Sequence, residues 1–229
     1  MNKKILFVGA NGYMGYGMAQ NLLKQNTLYV FVNKKRENID ILVSNGAVEI
    51  KSFDEIKNLE LDCLMLCVTN TPIAIEIANK IAPLLKNSSL VIDLTTHNKN
   101  GAGNMKSIFD KFNISFVVSP VMGSKNESLK GILGSIWGGD KDKYDESRIY
   151  LDTFCEDVFN FGTVDKASAA KLLSNFLSLL TTTTVIEYFK AAKKLGVDWE
   201  KLFEVAKLGS GNSGALNRIA EKAIRGNYK

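Results

Sequence analysis

Apolar positions in the first two thirds of the chain fall into short runs, separated by stretches with helical spacing. Lys4 to Gly9 reads as a short apolar strand, and Met14 to Lys24 then alternates at the period of an amphipathic helix. A β-rich run at Leu28 to Val32 precedes a helix over Ile39 to Ser44 and a short strand at Ala47 to Ile50. Leu61 to Val68 is the next strand. Pro72 opens a helix to about Leu85, at the first-turn position that tolerates proline. Ser89 to Leu94 is another strand, followed by a helix near Asn104 to Phe112 and a strand at Ile114 to Val118. Apolar strands alternating with amphipathic helices predict an α/β fold with a doubly wound, mostly parallel sheet, whose strands are covered on both faces. The segment Ile132 to Trp137, the helix near Lys143 to Phe154 and the strand near Val158 to Phe161 are expected to extend that sheet.

The pattern changes after Gly162, and no strand signal follows Lys166. Ala167 to Leu195 reads as one long helix, apolar on most faces through Ala169, Leu172, Leu173, Phe176, Leu177 and Leu180. Such a helix is expected to be buried between other elements. Gly196 ends it, Asp198 caps a helix to about Leu208, and Ser213 caps another to Ile224. The expected organisation is therefore an α/β domain over residues 1–162 and an all-α region over 163–229.

A length of 229 residues, 45% of them hydrophobic and 23% charged, admits one or two globular domains. No apolar run approaches the roughly 20 residues of a membrane span, and the stretch before Gly9 is shorter than the about 7–15 residues of a signal-peptide core. A cytoplasmic protein with no membrane partner is expected. Cys63 and Cys67 fall at even spacing in a strand and read as small core residues. With a single histidine in the chain, His97, no metal site is expected. The net charge of +5 is spread along the chain, which suits small phosphate-bearing molecules better than a nucleic-acid duplex.

One stretch gives that preference a mechanism. Gly9-Ala10-Asn11-Gly12-Tyr13-Met14-Gly15 lies where the first strand passes into the first helix. There, glycines permit a tight turn, a close approach of backbone to a pyrophosphate, and close packing of helix on strand. The phosphates then rest on the helix N-terminus. Gly9 to Gly15 are thus candidate dinucleotide-binding residues of a Rossmann-type domain. A carboxylate at the end of the second strand would bind the adenosine ribose of NAD and repel a 2′-phosphate. Here the strand runs into Asn33-Lys34-Lys35-Arg36, with no acid and three successive cations. Charge-assisted bonds from these residues suit a phosphate, so NADP is expected over NAD; a solvated basic loop is the plainer alternative.

Beyond these features, the chain resembles the β-hydroxyacid dehydrogenases over almost its whole length. This family includes 3-hydroxyisobutyrate, tartronate-semialdehyde and 6-phosphogluconate dehydrogenases and the glyoxylate/succinic-semialdehyde reductases. Gly12 to Leu22 resembles the family's glycine turn with its Met-Ala-x-Asn-Leu helix, and Asn33-Lys34-Lys35 resembles the Asn-Arg-Thr of its NADP-using reductases. Val68-Thr69-Asn70 stands where the resemblance implies a loop under the nicotinamide ribose. Asp93-Leu94-Thr95-Thr96 is similar to Asp-x-Ser-Thr, implying that Thr96 contacts the nicotinamide end. Ser119-Pro120-Val121-Met122-Gly123-Ser124 resembles the substrate loop Ala-Pro-Val-Ser-Gly-Gly, whose amides and serine hold the substrate carboxylate. Lys166 to Asn175 resembles the catalytic helix, which implies Lys171 as general acid/base and Asn175 as a substrate contact one turn later on the same face.

The departures are as informative. Met122 replaces the substrate-loop serine, Ser124 its second glycine, and Asp165 and Ala167 the glycines that precede the catalytic helix. Gly209-Ser210-Gly211-Asn212-Ser213 resembles the family's Gly-Ser-Gly-x-Ser, after which family members continue through several helices; only the first helices of that all-α domain are expected here. The resemblance implies hydride transfer between NADP(H) and a short hydroxy acid, carboxylic semialdehyde or 2-oxo acid, with Lys171 needing the lowered pKa that burial supplies. The apolar Ala167 to Leu195 helix implies a homodimer, or a higher homo-oligomer, formed through the C-terminal helices. Three other readings differ in what they require. Extended short-chain dehydrogenases need a tyrosine with a lysine four residues on, and no tyrosine here has one. Imine reductases usually lack the lysine that Lys171 supplies. A shortened or degenerate protein would bind dinucleotide without turnover. His97, after a Thr-Thr pair, is expected on the surface.

Overall fold

The computed structural model describes residues 2–32 and 36–226, with Lys99 described in its backbone alone. Six strands, β1 (Lys4–Val8), β2 (Thr27–Phe31), β3 (Val48–Ile50), β4 (Cys63–Leu66), β5 (Leu90–Asp93) and β6 (Ser115–Val118), form one sheet. Their order is β3-β2-β1-β4-β5-β6, and every neighbouring pair is parallel. The crossovers are α1 (Gly15–Leu23), α2 (Glu37–Ser44), α3 (Thr71–Ile81) and α4 (Lys99–Asp110). Alternation along β1 sorts the two layers. Ile5 and Phe7 pack with Met18, Leu22, Ile39 and Leu42 of α1 and α2, while Leu6 and Val8 pack with Ala74, Ala78, Met105 and Phe109 of α3 and α4. Full burial of each Leu, Ile, Val, Met or Phe among them contributes about 1.5–3 kcal/mol, which is why these strands are apolar on both faces.

Asn70 caps α3 by accepting from the Ile73 amide, with Pro72 in the first turn as the sequence predicts. Helix α4 starts earlier than its apolar periodicity suggests. Asn98 caps it, accepting from the Gly101 amide at 2.7 Å, and the first turn, Lys-Asn-Gly-Ala, carries almost no hydrophobic signal.

The segments after β6 do not extend the large sheet. β7 (Val121–Met122), α5 (Lys125–Lys130), β8 (Leu133–Trp137), α6 (Tyr144–Leu151) and β9 (Cys155–Asn160) follow, and β7-β8-β9 is a separate three-stranded sheet. β8 pairs antiparallel with β7 and parallel with β9, so its ladder groups are already taken. Just past its end, Gly138 makes a single antiparallel bridge to Val118.

The chain divides into two compact units, Met1–Lys171 and Leu172–Lys229. Helix α7 (Val164–Lys194) begins in the first and continues in the second, so the expected boundary near residue 163 falls at the start of this helix. Its first turns stay with the first unit through a close approach. A Cβ on Gly138 would lie 2.4 Å from the Thr163 carbonyl oxygen and 2.5 Å from the Ala167 Cβ, so only glycine fits there.

The second unit also contains α8 (Trp199–Leu208) and α9 (Gly214–Ile224), capped by Asp198 and Ser213 as the sequence predicts. Its core is small: Val185, Phe189, Leu216 and Ala220, with Trp199 and Phe203 packed against them. The expected burial of the long helix is not met. Leu173, Phe176 and Leu177 are 67%, 61% and 68% exposed, because α8 and α9 cover the stretch around Val185 and Phe189 instead. With 31 residues and a mean hydropathy of 1.2 in its most apolar stretch, α7 is long and apolar enough to cross a membrane by length and composition alone. Thr181 to Thr184 interrupt its apolar residues, so it contains no unbroken apolar run of that length.

Candidate functional site

The strand order reverses between β1 and β4, and open α/β sheets bind ligands at such a switch point, beyond the carboxyl ends of the strands. A cleft of about 600 Å³ lies there, lined among others by Gly9, Asn11, Gly12, Phe31, Val68 and Thr69. Gly9 has φ +99°, and a Cβ on it would lie 2.0 Å from the Cys67 carbonyl oxygen, so the turn requires glycine. The Gly12 amide donates to the Gly9 carbonyl at 2.9 Å, Ala10 is buried, and Gly15 opens α1.

Other turn residues have structural partners. Asn11 accepts from the Asn38 amide through Oδ1 and from Asn38 Nδ2 through its carbonyl, both at 3.0 Å, which ties the turn to the start of α2. Tyr13 is exposed with the Lys125 ammonium 5.9 Å from its ring centre, and the Met14 carbonyl accepts from the Ser128 hydroxyl at 2.7 Å. Cys67 also borders the cleft, its thiol pushed up to about 12 by burial.

The expected phosphate readers Asn33, Lys34 and Lys35 lie outside the described residues. Arg36 is described, and its guanidinium is engaged within the chain. It makes a two-pronged pair with Glu49, at 3.0 and 2.8 Å, and donates to Asp40 Oδ1 at 3.1 and 2.9 Å. The bond from Arg36 holds the Glu49 carboxyl below its usual range.

At the next strand ends, polar groups are paired inward. Asp93 is fully buried; its Oδ1 accepts from the Thr95 amide and its Oδ2 bonds His97 Nε2, each at 2.8 Å. Thr95 Oγ1 in turn accepts from the Val68 amide at 3.1 Å. The side chains alternate, with Thr95 and His97 turned in and Thr96 exposed at the rim. His97 is only 2% exposed, which corrects the surface expectation. Two polar partners make its burial possible, and no apolar pattern announces them.

The Ser119 amide donates to the Asp93 carbonyl at 2.7 Å, so the segment expected to hold substrate starts beside this edge. Lys171, in the first turns of α7, is brought against that loop. It is 9% exposed, its Nζ donates to the Val121 carbonyl at 2.8 Å, and Met122 Sδ lies 3.2 Å away. These partners carry no negative charge to favour the ammonium form, and burial lowers the lysine's pKa. An amine held so is suited to giving and taking a proton nearer neutrality.

The remaining substrate-loop groups are less open than the resemblance implies. Gly123 has φ +130°. The Ser124 amide and hydroxyl both donate to Glu127 Oε2, which completes a capping box on α5 and holds the Glu127 carboxyl below its usual range. Asn175 is half-buried, one turn beyond Lys171 and in the second unit. The asparagine of the Met-Ala-x-Asn-Leu segment has a structural task that the resemblance does not state. Asn21 Nδ2 donates to the Gly17 and Ser128 carbonyls at 2.9 and 3.0 Å, fastening α5 to α1. The spacing Ser124-x-x-Glu127 is a readable capping signal, whereas the task of Asn21 depends on carbonyls of α5, distant in the chain.

Residues 4–162 match the family profile described as the NAD-binding domain of 6-phosphogluconate dehydrogenase, and residues 166–229 that of NADP-dependent 3-hydroxyisobutyrate dehydrogenase. An uncharacterized oxidoreductase of Synechocystis sp. is 24% identical, with all of this chain aligned to 80% of the relative. An NADH-dependent oxidoreductase of Aspergillus ustus is 30% identical over 81% of this chain, but the match spans only 64% of that protein. Among solved structures, 3-hydroxyisobutyrate dehydrogenase from Salmonella typhimurium superposes with a TM-score of 0.88 at 20% identity, covering 100% of this chain and 80% of that one. At that identity the likeness concerns the fold.

Proposed function

The chain belongs to the β-hydroxyacid dehydrogenase family, and from that premise we propose that it transfers a hydride between NADP(H) and a short hydroxy acid, carboxylic semialdehyde or 2-oxo acid, with Lys171 as general acid/base. The observation that carries this reading is Lys171 itself, buried against the Val121 carbonyl with a lowered pKa. The cleft at the switch point fits a dinucleotide, since its glycine turn lets backbone approach where a side chain would intrude. When bound, the dinucleotide supplies or accepts the hydride.

In the reducing direction the Lys171 ammonium gives its proton to the carbonyl oxygen as the carbon gains hydride. In the oxidising direction the neutral amine takes the hydroxyl proton as hydride leaves. NADP is favoured by Lys34 and Lys35, which together with Asn33 and Arg36 follow a strand end without an acid. The apolar face of α7 supports pairing of two copies through the C-terminal helices.

Consumption of NADPH and of NADH by the full chain, across a panel of short semialdehydes and 2-oxo acids, tests the reading. Turnover of at least one compound, faster with NADPH, is expected. Cofactor binding without turnover of any compound would overturn it in favour of a dinucleotide-binding protein.

A further inference from the structure

Resting on the dinucleotide reading above, we propose that His97 is a positioning residue for the nicotinamide half of the cofactor, clamping the loop after β4 to the loop after β5. Three segments meet at its ring. Asp93 ends β5, Thr71 opens α3, and His97 itself leads into α4. The imidazole is 2% exposed, with Nε2 at 2.8 Å from Asp93 Oδ2 and Nδ1 at 2.9 Å from Thr71 Oγ1. A carboxylate only accepts, so Nε2 carries the hydrogen toward Asp93, and in the neutral ring Nδ1 takes the Thr71 hydroxyl hydrogen. Both ring nitrogens are then satisfied and the orientation is fixed. Turning the ring would leave buried polar groups without partners.

A second strut runs beside the first. The other oxygen of Asp93 holds the Thr95 amide, and Thr95 Oγ1 holds the Val68 amide. Segment 68–71 is therefore pinned at both ends, by Thr95 at Val68 and by His97 at Thr71. Helix α4 closes a further side of Thr71, since a Cβ on Gly101 would lie 2.7 Å from Thr71 Cγ2. Thr69 and Thr96, one on each loop, remain turned outward, and Thr69 lines the cleft. His97 thus touches no reacting atom. On the dinucleotide reading it sets the spacing of two loops on the β4–β5 side of the switch point, across the glycine turn from the β1–β2 half, where the nicotinamide end of a dinucleotide lies and a misplacement of about 1 Å can cost on the order of 10²-fold in rate.

The test uses the full chain and two probes, NADPH and adenosine diphosphate, which lacks the nicotinamide half. His97→Leu is expected to weaken NADPH roughly tenfold, the scale of a buried hydrogen bond, while changing diphosphate affinity less than about twofold. The fluorescence enhancement of bound reduced nicotinamide should fall with it. His97→Gln, whose amide can donate to Asp93 and accept from Thr71, should restore most of both. Thr71→Val removes one end of the clamp in a nearly isosteric way, and should shift NADPH alone, by less. Equal weakening of both probes in His97→Leu and Thr71→Val would assign His97 to general stability and overturn the proposal, as would unchanged NADPH binding. A parent chain that binds neither probe would instead refute the dinucleotide reading, and this inference with it.

Discussion

Ile5, Phe7, Leu64 and Ile92 in the first unit have no exposed surface, whereas Leu173, Phe176, Leu177 and Leu179 in the second keep more than half of theirs. The sheet of the first unit has helices on both faces, so its apolar side chains are covered by the same unit. The second closes a core of four buried residues around one part of α7 and leaves the preceding turns bare. Lys171 stands at the end of the first unit and just before that bare stretch. The difference teaches which unit closes its own core and which leaves apolar surface for another to cover. The cleft, the paired strand ends and the lysine all belong to the first unit, while the second presents a surface suited to association.

The largest expected effect is at Lys171. Lys171→Met should lower turnover by roughly 10²–10⁴-fold with dinucleotide affinity nearly unchanged, as steady-state rates and a binding titration will show. Near-normal turnover would remove the lysine from its assigned role. Next comes the same kind of truncation in the two units. Ile92→Ala should cost about 2–5 kcal/mol in chemical denaturation, because it opens a cavity in a closed core. Leu177→Ala should change the stability of the separated monomer by less than about 0.5 kcal/mol. Similar losses at both positions would erase the contrast.

Association is the third test. Leu177→Glu should shift the monomer–dimer equilibrium at least about tenfold toward monomer in sedimentation, since it sets a charge in an apolar contact. A parent chain that sediments as monomer and binds no apolar dye would contradict a paired second unit. The smallest effect concerns the cofactor's far end. NADPH is expected to bind about tenfold more tightly than NADH, and Glu49→Gln, by loosening its hold on Arg36, should widen that ratio about threefold. A ratio unmoved by Glu49→Gln would leave Arg36 outside phosphate recognition.

The first unit was the more legible in the sequence, for a physical reason. Parallel strands covered on both faces are apolar throughout, and the glycines at the first turn answer steric demands such as that of Cys67 on Gly9. The small sheet was misread as an extension of the large one because short strands carry no information about their partners. The bare face of α7 was misread because periodicity reports how apolar a helix is, not what covers it. In the site, the burial of Lys171 was legible in apolar neighbours such as Ala167 and Ala170, while the role proposed for it came from the resemblance. The burial of His97 and the contacts of Asn21 were not, since a buried polar side chain depends on partners distant in the chain, such as Thr71 and Ser128.

The central claim is that the buried Lys171 amine carries the proton, and the pH dependence of alcohol oxidation tests it most directly. The base form is the neutral amine, so kcat/KM for the best substrate should rise with pH and level off as Lys171 loses its proton. Burial lowers that pKa, so the plateau should arrive below the 10.5 of an ordinary lysine. In the reducing direction the ammonium is the active form, and the rate should fall over the same interval. An oxidation profile that is flat, or that keeps rising until an ordinary lysine would titrate, contradicts the account.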